Sequence, residues 1–395
     1  MKILLITEYF PPIIHGGGEL SAQTLAQELV KNDIEVHVLT SKRKNSKVHE
    51  IKDNVKIHRL LKTGVNPRNL LDNFKRTILL PTSIKKEFYK LNKKEKFDVI
   101  HFLNTTSITE LKTKIKKVAT INNYTNFCPK SNLYHKTNFK PGEKNFIKYL
   151  KCMFTSDYIG KQKLKPYLKY NPFFLIPLYI NYLNRRKQIK YVDKFIVLND
   201  LIPLKNSKKI YNPINIKNKL KKYPIKKSGT TFTYIGELEQ VKGVDRIIKA
   251  FSDIKNSKLL IVGTGSEEQY LKKIANENII FTGKLDPAYI PYIYSQTDIV
   301  VLPTRWPEPL SRTLTESLFF GKPIITTNKG GNTEQVKNNI NGFIIKNKKE
   351  LKDKMILLSK DKKLRMKMGE ESKKLYEKKF TTNKIIKQII KLYKD

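Results

Sequence analysis

Residues 258–283 read KLLIVGTGSEEQYLKKIANENIIFTG. An apolar run, "KLLIVG" at 258–263, turns at a glycine, passes into a helical pattern, and gives way to a second apolar run, "NIIFTG" at 278–283, again closed by glycine. Runs this short and apolar on both faces are the mark of parallel strands covered by helices on both sides. The same alternation extends outward through "TFTYIG" at 231–236, "DIVVLP" at 298–303, "PIITT" at 323–327 and "GFII" at 342–345. Near the N-terminus, "ILLIT" at 3–7 and "IEVHVLT" at 34–40 flank Ala22, Leu25, Ala26 and Leu29 at helical spacing; "FDVIHF" at 97–102, "KVATI" at 117–121 and "KFIVL" at 194–198 follow. The chain is therefore expected to fold as two doubly wound α/β domains. The first takes residues 1–205, the polar, Pro-containing span 206–229 is a linker, and the second takes 230–380. A C-terminal helix at 381–395 is able to pack back on the first domain. Ligands in such sheets bind beyond the carboxyl ends of the strands, so two facing sheets would leave a cleft between them.

Composition narrows the function. The 395 residues carry 78 Lys and Arg against 35 Asp and Glu, a formal net charge of +43, which attracts phosphate-rich partners: anionic membrane, nucleic acid or nucleotide. Compositional bias of the source explains part of that excess. Cys128 and Cys152 form no C-x-x-C pair, so neither a zinc site nor a disulfide framework is expected, and reduced thiols in a cytoplasmic setting are. "MKILLIT" reads as a buried first strand rather than a leader, and no apolar run approaches the ~20 residues needed to span a bilayer.

The loops after the strands hold the candidate chemistry. "EYFPPIIHGGGEL" at 8–20 places Gly16, Gly17 and Gly18 before a helix, where bare backbone can approach a phosphate, although the spacing matches neither a dinucleotide nor a P-loop fingerprint. Lys242 and Gly243 stand just before a helix whose apolar face includes Val244, Ile247, Ile248 and Phe251. A lysine there can neutralise an anion at the helix terminus, although a solvated lysine is the default in so basic a chain. In "TRWPEPLSRTLTESLFFGKP" at 304–323, Pro309 keeps Glu308 in a loop, and a helix starting near Ser311 carries Glu316. The amides of Ser311, Arg312 and Thr313 would then offer an anion site beside a carboxylate, a combination suited to sugar nucleotides, which bear both phosphates and hydroxyls.

Taken as one series, "YIG" at 234, "KGVDRIIKAF" at 242, "IVGTGSEEQYLK" at 261, "IIFTGKL" at 279, Tyr294, the run from Asp298 to Val336 and "NGFII" at 341 resemble the nucleotide-binding half of retaining glycosyltransferases of family 4. "PPIIHGGGEL" at 11, "FDVIHF" at 97 and "VATINNYTNFCP" at 118 extend the resemblance into the first domain. It implies the GT-B fold, two Rossmann-like domains facing across a cleft. It also implies that Glu316 holds the donor ribose, Glu308 contacts the transferred sugar and Lys242 neutralises the diphosphate. Gly16 and Gly17 would bring backbone to that diphosphate, with Gly263, Thr264, Gly265 and Lys284 on the base side and Gly330, Gly331 and Glu334 matching a glycine pair and following acid. The implied reaction is front-face transfer with retention, without cofactor; no D-x-D occurs, in keeping with the metal independence usual for this fold.

The chain departs from the family pattern in two places: Glu237 stands where an arginine is usual, and Asn122 and Asn123 where His-Asp is common. His101 is a further candidate after a first-domain strand, although a core or hydrogen-bonding histidine is the preferred reading, and Cys128 is assigned to packing. From 136 to 192, lysines interleave with Tyr, Phe, Leu and Ile; the segment suits an anionic membrane surface, with Arg185, Arg186 and Lys187 among its lipid-facing cations, or single-stranded nucleic acid, or an ordinary helical insertion, and the membrane is preferred between the two functional readings. The expected protein is a cytoplasmic transferase, peripheral at the inner face of the cell membrane, moving sugar from a nucleotide sugar to a glycan or lipid-linked acceptor. The alternatives are a catalytically silent sugar-nucleotide or glycan-binding partner of another transferase and, on charge alone, a nucleic-acid-binding protein; nucleic acid is not the expected partner.

Overall fold

The computed structural model describes residues 1–42, 46–64, 70–133, 140–155, 158–159, 162–163, 165–216, 220–225 and 229–395. Residues 134–139, 156–157, 160–161 and 164 of the basic segment, and 217–219 and 226–228 of the expected linker, lie outside the described residues. The chain divides into two compact units, one of Met1–Asp157, Leu164–Asn215 and Thr382–Asp395, the other of Tyr158–Lys163 and Ile216–Thr381.

The first unit is built on β1 (Lys2–Ile6), β2 (Glu35–Ser41), β3 (His49–Lys52), β4 (Val55–Leu61), β5 (Val99–Phe102) and β6 (Lys116–Ile121). A two-residue hairpin, β7 (Tyr158–Ile159) and β8 (Gln162–Lys163), interrupts the series before β9 (Lys194–Val197) and β10 (Ser207–Lys209). The eight-stranded sheet runs β10-β9-β6-β5-β1-β2-β4-β3, parallel except for the β3–β4 pair. Ile3, Leu4, Leu5 and Ile6 are all fully buried, because helices cover both faces of the central strand. The C-terminal helix Thr382–Lys394 belongs to this unit: Ile385, Ile386, Ile389, Leu392 and Tyr393 join the core formed with Ala22, Leu25 and Leu29.

Strands β3, β4 and β10 escape a reading of apolar runs. In β4, Lys56, His58 and Arg59 break the pattern, and His58 and Arg59 are nonetheless buried because each is paired. Arg59 donates to the carbonyl of Pro11 at 2.5 Å and to Glu50 at 2.7 Å. His58 lies between two other imidazoles, 3.0 Å from His37 Nδ1 and 2.9 Å from His49 Nδ1, and His37 Nε2 is 3.1 Å from Glu35.

The second unit's strands are β11 (Thr230–Ile235), β12 (Ser257–Val262), β13 (Ile279–Gly283), β14 (Ile299–Leu302), β15 (Ile324–Thr327) and β16 (Gly342–Ile345). They form an all-parallel sheet in the order β13-β12-β11-β14-β15-β16. The chain winds outward from β11 in one direction and then, crossing to β14, in the other. Strand order therefore reverses between β11 and β14, and in the first sheet between β1 and β5; such reversals open the crevice where ligands bind. The loops that leave these four strands are where site residues are to be sought.

Candidate functional site

At the second unit's reversal, the loops after β11 and β14 are locked together. Gly243 begins the helix Val244–Phe251 with φ +78°, and a Cβ there would lie 2.3 Å from the carbonyl of Pro303. Only glycine tolerates both demands. Arg305 N donates to the carbonyl of Val241 at 2.7 Å, and the Arg305 guanidinium forks onto both oxygens of Asp245 at 2.7 Å each. This clamp fixes Lys242, whose ammonium pairs with Glu308 Oε1 and lies 5.2 Å above the Trp306 ring. Trp306 Nε1 donates to the same carboxylate oxygen at 2.8 Å. Glu308 is held from behind as well: it forms a parallel bridge with Gly330, and Gly331 N donates to its carbonyl at 2.6 Å. A Cβ on Gly330 would stand 2.1 Å from Glu308 O and one on Gly331 2.3 Å from Pro309 O, so the glycine pair is what lets the 328–331 loop carry Glu308.

Glu316 sits in the helix Arg312–Phe319, 8% exposed. Its Oε1 accepts from Arg312 Nε at 2.8 Å and its Oε2 from the Tyr294 hydroxyl at 3.3 Å. Each oxygen retains a lone pair for a ligand hydroxyl. Burial first, and then the Glu316 charge, pushes the Tyr294 phenol well above its ordinary range, so it remains a donor. Arg312 Nη1 is buried with no hydrogen-bond partner among the described residues. The expected anion site at this helix start is smaller than the sequence suggested: Ser311 N is occupied by Gln335 Oε1 at 3.1 Å, and the Ser311 hydroxyl caps Leu314 N. Thr313 turns its hydroxyl to the carbonyl of Ile235 at 3.0 Å, tying the helix to the end of β11.

Gly263, Thr264 and Gly265 follow β12 and interlock with the loop after β11. A Cβ on Gly263 would be 1.9 Å from Gly236 O and one on Gly265 2.4 Å from Leu238 O, while Leu238 N donates to Thr264 O at 3.0 Å. Backbone approach accounts for these glycines without a ligand. Lys284 is exposed after the edge strand β13, and Glu334 lies half-buried in the short helix Asn332–Gln335. Glu237 is half-buried, and its carbonyl accepts the Tyr234 hydroxyl at 2.7 Å. The Tyr234 phenol is pushed far up by burial and then by Glu308, Glu237 and Glu239, so three carboxylates converge here.

In the first unit the helix begins at Gly17, placing Gly17 and Gly18 inside its first turn. Gly16 caps it, but its N–H is already bonded to Glu19 Oε2 at 2.9 Å, so this amide is not aimed at a ligand as the sequence reading supposed. Asn122 leaves β6, donates from Nδ2 to Leu103 O at 2.7 Å, and keeps Oδ1 buried without a partner among the described residues. Asn123 is bound to Thr105 and to Thr125 N. His101 requires a correction: it lies within β5, fully buried, 2.6 Å from the Tyr393 hydroxyl and 2.8 Å from Thr120 Oγ1. Burial pushes its pKa down to about 3, which makes it a neutral core histidine bonding the C-terminal helix. Cys128 is buried and its thiol is pushed up by burial.

Among the described residues, the cluster with metal-ligand geometry is Glu35, His37 and Glu95. Lys2, 3.3 Å from Glu35 and 3.1 Å from Glu95, and Lys56, 2.6 Å from Glu35, already supply positive charge there. It stands at the starting edge of β1 and β2, opposite the reversal loops.

Residues 215–375 match the family described as "Glycosyl transferases group 1", and residues 15–158 match "Glycosyltransferase Family 4". The chain belongs to the group 1, family 4-type glycosyltransferases. Spore coat protein SA of Bacillus subtilis (strain 168) is 28% identical over 178 residues, 40% of this chain and 47% of that protein. The matched segment thus spans about half the length of that curated relative. Two solved structures show the same GT-B fold of two parallel-sheet α/β domains. Sucrose-phosphate synthase from Thermosynechococcus elongatus superposes with a TM-score of 0.75 at 16% identity, covering 100% of this chain and 98% of that one. HepE of Anabaena, solved in complex with UDP and glucose, gives 0.65 at 14%, covering 99% and 98%.

Within this family 4-type chain, three participants escaped the sequence reading. Trp306, the single tryptophan, sits two residues before Glu308 and bonds its carboxylate. Glu239, 6% exposed, accepts from the Ser266 hydroxyl at 2.6 Å. Glu8, at the exit of β1 and 3% exposed, forms an ion pair with Arg76, whose Nε lies 2.6 Å away, and accepts from the Thr63 hydroxyl at 2.6 Å. Trp306 could have been found by its rarity. The two acids could not, since nothing in their immediate sequence reveals a distant partner.

Proposed function

We propose that the protein is a retaining glycosyltransferase that moves a sugar from a nucleotide-diphosphate sugar to a glycan or lipid-linked acceptor. The observation carrying this reading is the Lys242–Glu308–Trp306 constellation at the β11/β14 reversal, one helix away from a buried Glu316 with open acceptor capacity. In the proposed step the acceptor oxygen bonds to the anomeric carbon as the carbon–oxygen bond to the diphosphate breaks, and the acceptor proton passes to the departing phosphate. Lys242, paired with Glu308 in the resting site, turns to the diphosphate as its charge develops, and Arg312 Nη1 offers a further donor. Glu308 accepts from the transferred sugar, Glu316 from the ribose, and Asn122 Oδ1 from a sugar hydroxyl. Gly263, Thr264, Gly265 and Lys284 border the base. Neither metal nor cofactor is needed for these roles, and the working site is the cytoplasmic face of the membrane.

Donor hydrolysis across a panel of nucleoside diphosphate sugars is the test, because it needs no acceptor. Hydrolysis unaffected by EDTA, with the α-anomer of an α-linked donor released first, supports the reading; absence of both donor binding and hydrolysis sinks it. A second reading, a silent sugar-nucleotide-binding partner, is favoured by the convergence of Glu237, Glu239 and Glu308 on Tyr234. Glu237→Arg discriminates: with a transferase site intact, donor affinity and hydrolysis rise roughly tenfold through a restored phosphate partner. A silent partner gains affinity alone.

A further inference from the structure

The helices Phe146–Phe154 and Pro172–Gln188 pack on one another through residues that point inward, Tyr149, Cys152 and Met153 from the first and Leu175 and Tyr182 from the second. The Tyr149 hydroxyl donates to Leu175 O at 2.7 Å, and Phe146 meets Tyr179 with ring centroids 5.0 Å apart. Their outer faces also carry apolar side chains, and these stand exposed. Phe173 is 90% exposed, Ile147 75%, Tyr170 67% and Tyr167 65%; Ile176 and Ile180 continue the outward row of the second helix. Positions 173, 176, 180, 184 and 187 lie on one helical face and end in exposed Lys187. A ring contact of 5.2 Å between Phe154 and Tyr170 joins the two outer faces.

Exposed aromatic and aliphatic side chains at this density mark a surface with an occupant. Charge selects which one. From residue 143 to 190 the sequence holds 11 Lys and Arg against two acids, Glu143 and Asp157; Glu143 pairs with Lys148 at 2.8 Å, and Lys144, Lys151, Lys165 and Lys187 are exposed beside the apolar row. A second copy of this face would bring like charge against like. We propose that this face docks on an anionic lipid bilayer, with Phe173, Ile176 and Ile147 entering the headgroup region and the lysines resting on phosphates. Arg185 and Arg186 drop out of the lipid-facing set that the sequence suggested. Burial lowers the Arg185 pKa to about 10, and the Arg186 guanidinium fills the space a Cβ on Gly142 would need. The proposal rests on the transferase reading only for the role of the surface, delivery of the enzyme to a lipid-linked acceptor; binding itself depends on the exposed face alone.

The test is co-sedimentation of the full chain with phosphatidylglycerol-containing and pure phosphatidylcholine vesicles, at low and high salt. Wild type is expected to bind the anionic vesicles at low salt and to leave them at high salt. Phe173→Ser with Ile176→Ser should weaken low-salt binding roughly tenfold, and Lys151→Gln with Lys187→Gln by a similar factor, with unfolding midpoints and soluble donor hydrolysis unchanged. Equal binding by wild type and the Phe173/Ile176 variant overturns the proposal, as does no binding to anionic vesicles. A concentration-dependent dimer abolished by that variant reassigns the face to self-association, and tighter binding of single-stranded RNA abolished by it reassigns the face to nucleic acid. Vesicle binding without donor hydrolysis keeps the docking surface and refutes the transferase reading separately.

Discussion

The two sheets solve the same topological problem with different chemistry. Where strand order reverses in the second unit, the exits of β11 and β14 carry ionised groups held by glycine-dependent backbone contacts: Lys242 on Glu308, Arg305 on Asp245, and Gly330 and Gly331 against the Glu308 loop. Beyond the ends of the first unit's strands, a neutral amide, Asn122, keeps one oxygen unpaired among the described residues, and the pair Glu8–Arg76 is flanked by threonines. The second arrangement can respond to an arriving charge; the first is suited to positioning hydroxyls. Under the proposed transferase reading, the contrast assigns the donor diphosphate to the second unit and an acceptor hydroxyl to the first.

Breaking the second unit's pair should give the largest effect. Lys242→Ala leaves Glu308 buried without its ammonium, and loss of one partner of a buried ion pair costs about 3 kcal/mol. Urea unfolding followed by Trp306 fluorescence should show that loss, and donor hydrolysis should fall by a further factor of roughly a hundred. Full stability in Lys242→Ala would mean that the pair does not hold the loop.

Acid separates the units next. Burial, reinforced by His37 and His49, lowers His58 from 6.5 to about 4, and His37 is also lowered. Glu35, Glu95, Lys2 and Lys56 surround the imidazole chain. A folded pKa below the unfolded value means that the unfolded chain binds the proton more readily. Stability from the neutral imidazoles is complete above about pH 6.5 and is lost as the pH falls toward 4, by about 2 kcal/mol after allowance for partial hydration. Far-UV circular dichroism, which reports both units, should register unfolding at a higher pH than Trp306 fluorescence, which reports the second. Coincident acid transitions, or a His58→Asn variant with the wild-type difference, would contradict this.

Ligand affinity sharpens the contrast further. Glu316→Ala removes acceptors for ribose hydroxyls and should weaken UDP or GDP binding, read by calorimetry, roughly tenfold. Asn122→Ala should leave that affinity unchanged and lower turnover severalfold through a poorer hydroxyl position. Equal loss of nucleotide affinity in both variants would erase the proposed division of labour.

Much of this was legible in the chain itself. Eleven strands could be placed from short apolar runs, four of them closed by Gly or Pro, since parallel strands buried on both faces leave little room for polar residues. The Ser311 start of the Glu316 helix followed from its cap and from Pro309. The series of short motifs from Tyr234 to Ile345 was enough to suggest the family, because the second unit's site is assembled from loops whose glycines and charges are local necessities of backbone approach.

What only the tertiary structure decided are the pairings between residues far apart in sequence. His101 reads as a site candidate until Tyr393, 292 positions away, takes its ring nitrogen. The stretch Lys56, His58 and Arg59 does not show as a strand until His37, His49 and Glu50 satisfy its buried histidine and arginine. Charge composition announced a basic aromatic segment, but which arginines turn inward and which aromatics stay in water depended on how two helices packed. A sequence records each residue's capacity for burial or bonding; the partner that uses that capacity is fixed only when distant segments meet.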